Sequence, residues 1–327
     1  MVLILVGVLA VTYVIDKELE SLNFEISRPN IQAVEVREPA QPVGVLLLGL
    51  DSVNGGFDDN SSRSDAIIVA SINPKTQTTE LVTIPRDTVV EMGREGQQLD
   101  KINHSYMYGG VDLTIQTVSN YLDFPIHYVV EMNMTGLEDL VDALDGILLT
   151  PTITFTDKGY AFVEGEPTLM SGHQALTYSR MRKKDPKGDV GRGERQQEVI
   201  QSIVSKLKSV DAVTNYRDLL DVVKGNMLTN ARISSGLIAD YMPSMNNINR
   251  TLLEERYDYN IEGVYYLGIP EQKRQEISNT LRNNIGLSNT RTNKQYIVDN
   301  ASKGVLKDYY IPNYDEVETE GSYGSNY

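Results

Sequence analysis

Seven basic residues crowd into one short stretch: Arg180, Arg182, Lys183, Lys184, Lys187, Arg192 and Arg195. Only Asp185, Asp189 and Glu194 oppose them, a local charge of +4 in a chain whose formal net charge is −15. Arginine suits phosphate, because its planar fork binds two oxygens at once and stays charged. Gly188, Gly191 and Gly193 lie in the same run. Glycine lets backbone approach a ligand closely, and a helix N-terminus adds a favourable field for an anion. Composition alone leaves two readings open here, a polyanion site and a solvated charged loop.

A second group emerges from strand connectivity. Val43–Leu50 is a continuous apolar run and reads as a buried strand. A Gly/Asn/Asp/Ser-rich loop over 52–64 leads to a second strand at 66–72. A turn at 73–76 leads to a third strand at 79–84, stopped by Pro85. If the three form an antiparallel meander, one sheet edge collects Asp51, the Arg63-Ser64-Asp65 cluster and Arg86-Asp87. Paired carboxylates there can hold a hard divalent cation that leaves its other positions to water and substrate phosphates. The plainer reading is a set of strand-end turn residues with surface salt bridges.

Beyond Pro85 the period becomes helical, with Val111, Ile115, Val118 and Leu122 on one face and Leu137, Leu140, Val141 and Leu144 on another. Strands are predicted near 126–131, 147–150 and 262–269, and helices near 171–181, 193–209, 214–224 and 232–245. Strands and helices mix without strict alternation or repeats. The fold class is therefore α/β, a single domain with a central mixed β-sheet flanked by helices.

The 40% apolar content provides for a sizeable core. Cysteine is absent, which excludes disulfides, thiolate metal sites and a Cys nucleophile. The three histidines, His104, His127 and His173, show no zinc-ligand spacing. The acidic total argues against nucleic acid as a partner. Residues 2–15 are almost wholly apolar but fall short of the roughly 20 residues a spanning helix needs. We read 1–15 as a membrane anchor whose start lies upstream of Met1, with a signal-peptide core or a soluble element as alternatives. Residues 16–42 read as a polar stalk, 43–290 as the catalytic domain, and 291–327 as a C-terminal extension ending in a solvated tail.

Seven motifs then fall in order: GLDS (49–52), RSDAIIVASINPKT (63–76), LVTIPRDT (81–88), DKIN (100–103), YGG (108–110), GHQALTYSRMR (172–182) and GDVGRGERQQEVI (188–200). Each is weak alone. Together they resemble the LytR-CpsA-Psr family across residues 43–208. The resemblance implies an extracytoplasmic α/β domain, held by a single-pass anchor in the cell membrane, that binds polyprenyl phosphates or pyrophosphates. It implies transfer of a teichoic acid, capsule or similar glycopolymer from a polyprenyl-pyrophosphate carrier to peptidoglycan. By position, Asp51 and Asp65 match the carboxylates that hold Mg2+, or Mn2+ in its place. Arg63, Arg86, Arg180, Arg182 and Arg192 match the pyrophosphate-binding arginines, with Gln196 as their polar companion. Lys101 and Asp189 match polar positions of the site, and Arg86, Asp189 and Arg192 are the expected catalytic residues.

Two departures stand out. Val53 occupies a position where many relatives carry Arg, so one phosphate contact is absent or falls to Arg63. Asp145 replaces a Gly in the family's DALGGV segment, which should affect a turn and not the chemistry. No G-x-S-x-G elbow occurs, in keeping with direct transfer without a covalent nucleophile. The competing functions are a polyprenyl-pyrophosphate hydrolase, a non-catalytic lipid carrier and a transcriptional attenuator. The stripe Val199, Ile200, Ile203, Val204 and Leu207 reads as core, or as the wall of a lipid groove.

Overall fold

The computed structural model describes residues 17–19, 40–51, 57, 62–93, 98–208, 216–251 and 253–306. The anchor expected at 1–15, Val53, nearly all of the stalk and the last part of the tail lie outside the described residues. Among the described residues, no helix is long and apolar enough to cross a membrane.

The chain forms β1 (Val43–Asp51), β2 (Arg63–Asn73), β3 (Thr78–Thr83), β4 (Val89–Glu91) and β5 (Leu99–Lys101), then α1 (His104–Leu122). Next come β6 (Tyr128–Asn133), α2 (Met134–Ala143), β7 (Ile147–Leu149), β8 (Phe155–Asp157), β9 (Tyr160–Phe162) and β10 (Thr168–Met170). They lead into α3 (Gly172–Arg180), α4 (Asp189–Leu207), α5 (Tyr216–Asn226), β11 (Met227–Thr229) and α6 (Ser235–Tyr241). The remainder is β12 (Ile248–Thr251), β13 (Tyr257–Ile261), β14 (Val264–Gly268), α7 (Glu271–Asn284) and α8 (Gln295–Ser302).

The main sheet has the order β11-β6-β1-β2-β3-β12. β1, β2 and β3 form the expected antiparallel meander, while β6 and β12 add in parallel to β1 and β3. The period-2 alternation of strands sorts β1 between the two faces. Leu46, Leu48 and Leu50 enter the main core, with Ile67, Val69 and Val82 from the neighbouring strands. Val118 and Leu122 of α1, Ile277 and Leu281 of α7, and Ile297 and Ala301 of α8 cover that face. Val43 and Val45 belong to a second cluster on the opposite face, with Ile68, Ala70, Leu81 and Tyr128. On that face burial weakens toward the strand ends: Val43 and Val45 are buried, Leu47 and Gly49 only half-buried, and Asp51 exposed.

Local chemistry explains several boundaries. At the β2–β3 turn, the Asn73 side chain accepts from the Lys75 backbone N–H at 2.9 Å, and Gln77 takes φ +55°. Helix α1 is kinked at Gly109 and Gly110, and Gly110 adopts φ +58°. The segment before the kink meets β5, where Tyr108 Oη donates to Asp100 Oδ2 at 2.8 Å and His104 Nδ1 lies 2.9 Å from the same oxygen. Asn133 caps α2 and Ser171 caps α3 with a full capping box. The Asp145 substitution does sit in a turn, at φ +56° ahead of Gly146 at +85°. The helix expected at 232–245 is split: α6 ends at Tyr241 and a 3-10 turn follows over Met242–Asn246, where Pro lies at its start.

Arg274 fastens α7. Its side chain is 1% exposed. It meets both Glu271 oxygens at 2.8 and 2.7 Å, Asp123 Oδ2 at 3.0 Å and the Tyr121 carbonyl at 2.9 Å. Replacing it with Ala strands two carboxylates and leaves a void. We expect Arg274→Ala to lower unfolding stability by about 3–5 kcal/mol, measured by urea denaturation; a loss under about 1 kcal/mol would contradict this role.

Candidate active site

The strand ends converge as the meander requires. Asp51 ends β1 and stands opposite Arg63 at the start of β2. The register slips between Gly49, which pairs with Ala66, and Leu50, which pairs with Ser64. Asp65 is thus the extra residue of a β-bulge, a feature that bends a strand and re-aims a side chain. Arg86 Nη1 donates to both Asp65 oxygens at 2.8 Å. Pro85 has already taken this segment off the sheet, and Thr88 fixes the bend by donating to the Pro85 carbonyl at 2.6 Å.

Further side chains gather around this pair and its neighbours Asp87 and Asp51. Lys101, at the end of β5, places Nζ 2.9 Å from Asp87 Oδ1. Arg182 Nη1 lies 3.7 Å from Asp87 Oδ2. Asp189 opens α4, with Oδ1 3.9 Å from Arg86 Nε and 3.2 Å from Arg192 Nη2. Arg192, one turn into that helix, also donates to the Asp65 carbonyl at 2.8 Å and so ties α4 to the bulge. Arg180, at the end of α3, lies 3.3 Å from both oxygens of Asp51. An open pocket of about 570 Å³ is lined by Arg86, Asp87, Lys101, Arg182, Asp189 and Tyr265. Of the expected site residues, Asp51, Arg63, Asp65, Arg180, Arg192 and Gln196 do not line it. Arg63 is exposed beside Asp51, and Gln196 is half-buried one turn beyond Arg192.

Three polar atoms of this cluster are buried and hydrogen-bonded to nothing: Arg86 Nε and both carboxylate oxygens of Asp189. Such groups carry a desolvation penalty and call for an explanation. Burial pushes the Asp189 carboxyl above the usual aspartate range, although Arg192 and Arg86 pull the other way. For Arg86, burial acts to lower the pKa, but Asp65, Asp189 and Asp87 together outweigh it and the net direction is upward. A fixed guanidinium and a reluctant carboxylate therefore face one pocket. This arrangement can bind phosphate oxygens and accept a proton.

The basic stretch divides by role. Arg195 is 1% exposed; it donates to the Tyr178 carbonyl at 3.1 Å and also grips the Met181 carbonyl and the Asp185 carboxylate. Lys187 pairs with Glu194 at 2.9 Å, and Lys184 donates to the Thr156 carbonyl. These three hold the loop together. The glycines also differ from expectation. A Cβ on Gly191 would collide with the Asp185 carboxylate, and one on Gly193 would come 2.9 Å from Thr83 Cγ2. Both serve protein packing; only Gly188, at φ +61° on the pocket rim, is a conformational glycine facing the site. Tyr265 had no signal in the sequence, because its strand carries no motif and lies more than sixty residues past the basic loop.

Among the described residues, no group of three or more His, Asp or Glu side chains is arranged to hold a metal ion. Two carboxylates such as Asp51 and Asp65 could serve only a cation that takes most of its ligands from phosphate and water. Both carboxylates stay within arginine contact at 2.8–3.3 Å yet keep lone pairs free for a further ligand.

A mixed sheet with guanidiniums gathered at its strand ends defines an α/β protein whose pocket suits an anionic ligand. The chain belongs to the LytR_cpsA_psr family, whose model matches residues 10–283. It is 39% identical over 246 residues to the polyisoprenyl-teichoic acid–peptidoglycan teichoic acid transferase TagU of Bacillus subtilis strain 168, covering 75% of this chain and 78% of that one. The Enterococcus faecalis protein of the same name is 40% identical over 247 residues, covering 75% and 80%. The fold matches the crystal structure of B. subtilis TagU with a TM-score of 0.60 at 35% identity, over 76% of this chain and 98% of that one. TagT bound to LIIa-WTA matches with a TM-score of 0.63 at 33% identity, over 79% and 98%.

The Asp189 geometry yields a stability prediction. Its folded-state pKa is raised, so ionisation is harder in the folded chain than in the unfolded one. The stability contribution is complete below the unfolded aspartate pKa and is lost as pH rises through the folded one. Asp189→Asn should match wild type in denaturant unfolding near pH 4 and equal or exceed it at pH 7. A variant clearly less stable at pH 7 than at pH 4, relative to wild type, would refute this.

Proposed function

We propose that this protein moves a glycopolymer from a polyprenyl-pyrophosphate carrier to peptidoglycan, forming a phosphodiester. The observation that carries the proposal is the shared pocket of Arg86, Arg182 and Lys101 with the unbonded Asp189 carboxylate. The relatives named for teichoic acid transfer support it. The polymer class follows theirs, a teichoic acid or a similar anionic glycan.

The pyrophosphate lies against Arg86, Arg182 and Arg192, with Arg180, Arg63 and Gln196 at its margin. Its prenyl tail follows the half-buried apolar face of the sheet that runs from Leu47 and Gly49 toward Asp51. Val199 and Ile203 do not line that path, since both are buried in the cluster around Tyr178; Ile200 packs on the sheet face itself. Asp51 and Asp65 would hold Mg2+, or Mn2+, which when bound neutralises charge on the diphosphate oxygens. A sugar hydroxyl of peptidoglycan attacks the phosphorus nearer the polymer. Asp189 takes the hydroxyl proton, the bond from that phosphorus to the bridging oxygen breaks, and polyprenyl phosphate leaves. Arginine positioning and charge neutralisation supply the acceleration. The substrates place the domain outside the cytoplasmic membrane, held by the apolar segment at 1–15.

The test is transfer of a polyprenyl-pyrophosphate-linked glycan to an acceptor muropeptide by the full chain in detergent. Arg86→Ala and Asp65→Ala should each lose at least about 10²-fold in rate. Arg86→Lys should remain impaired, because a lysine lacks the fork. Wild-type rates in these variants, or release of free glycan instead of ligation, would overturn the proposal. Because the base must be ionised, the rate should rise with pH through the elevated Asp189 pKa, and Asp189→Asn should remove that limb. An unchanged pH–rate profile in Asp189→Asn would assign the proton to another group.

A further inference from the structure

The β13–β14 hairpin is fixed to the phosphate pocket yet contributes no cation to it. Leu267 donates its backbone N–H to the Asp87 carbonyl at 2.9 Å, and Thr88 bridges to Leu267 in parallel. Lys101 Nζ sits 5.4 Å above the ring of Tyr266. The hairpin is therefore tied to the segment that carries Asp87 and packs against Lys101.

Alternation sorts its two faces as far as Leu267, the cross-strand partner of Asp258, which is itself drawn into the main core. Tyr259 and Tyr266 are cross-strand partners and turn toward the main core. The other face presents Tyr265, its cross-strand partner Asn260, and Asp258 one pleat along. All three are exposed, and Tyr265 remains 39% exposed while lining the pocket. Tyr265 Oη donates to Asp258 Oδ1 at 2.7 Å, and Arg256 Nε lies 3.4 Å from the same oxygen. The phenol ring is thus held in one orientation.

This chemistry does not suit phosphate: Tyr265, Asp258 and Asn260 carry no positive charge, and the Tyr265 hydroxyl is already spent on Asp258. An aromatic face flanked by a planar carboxylate and a carboxamide suits a ligand with apolar C–H faces and a rim of hydroxyls. We propose that Tyr265, Asp258 and Asn260 form a saccharide subsite abutting the phosphate pocket, which seats a sugar ring next to the reacting phosphorus. The inference rests on the transfer reading, under which two sugars flank that phosphorus, one from the donor polymer and one from the wall acceptor. Tyr265 is here a substrate-positioning residue, and its neighbours orient it.

Two measurements on the full chain in detergent test this. In the first, chitotetraose, an uncharged N-acetylglucosamine oligomer, is followed by saturation-transfer NMR with wild type and Tyr265→Ser. We expect a signal with wild type that Tyr265→Ser abolishes and Tyr265→Phe retains. In the second, KM is measured separately for donor and acceptor. Tyr265→Ser should raise one of them by about tenfold, the loss of one aromatic contact, with a smaller change in kcat. A rise in acceptor KM assigns the subsite to the wall glycan. A rise in donor KM with the acceptor KM unmoved assigns it to the polymer. Absence of chitotetraose binding in wild type, or its survival in Tyr265→Ser with both KM values unmoved, overturns the proposal. Chitotetraose binding without any transfer would leave the subsite standing and sink the transfer reading instead.

Discussion

Guanidinium groups repel one another, and this site holds several within one cleft. The pair between Arg86 and Asp65 makes that possible. Asp65 occupies a bulge in β2, so its carboxylate reaches Arg86 just beyond the strand-ending Pro85. Its backbone carbonyl at the same time anchors Arg192 from α4. One residue thus sets the distance between two arginines that come from segments more than a hundred residues apart. Asp87 does the same for Lys101 and Arg182. The carboxylates work as spacers that keep like charges close and oriented before any ligand arrives.

Preorganisation of this kind conflicts with stability. Arg86 Nε and the Asp189 carboxylate are withdrawn from water without hydrogen-bond partners. An ordinary core would exclude such groups or satisfy them. Their persistence is intelligible if a phosphate oxygen and a transferable proton complete them. The rest of the fold supplies the compensation. Leu46, Leu48 and Leu50 bury the strand that carries Asp51, while Arg274 locks α7 over the same core. The loop before α4 is braced by Arg195 and Asp185, so Asp189 and Arg192 emerge from a rigid base.

Residue type and order made part of this legible. The apolar run of β1, the turn at 73–76 and the stop at Pro85 were enough to foresee the meander and the gathering of Asp51, Asp65 and Arg86. The bulge at Asp65 was not readable, because register depends on pairing across strands. Helix α7 was also hidden. Its buried face uses Arg274 and Ser278 alongside Ile277 and Leu281, so its apolar period is too sparse to announce a helix. The hairpin strand Tyr257–Ile261 reads as polar because its outward face is polar. Charge counting over 180–195 overstated the site, since three of its seven cations brace the loop; their partners, Thr156, Glu194 and the Tyr178 carbonyl, separate them, and partners are a tertiary property. Helix α4 begins four residues earlier than its glycines implied, because Gly191 and Gly193 are packing residues and not a break.

The central claim is spatial, so its most direct test is a crystal structure of the full chain with a prenyl pyrophosphate and Mn2+, whose anomalous signal locates the metal. The account predicts a diphosphate in contact with Arg86, Arg182 and Arg192, and an anomalous peak between it and the carboxylates of Asp51 and Asp65. A diphosphate bound away from Arg86, or a metal peak remote from both carboxylates, would contradict it.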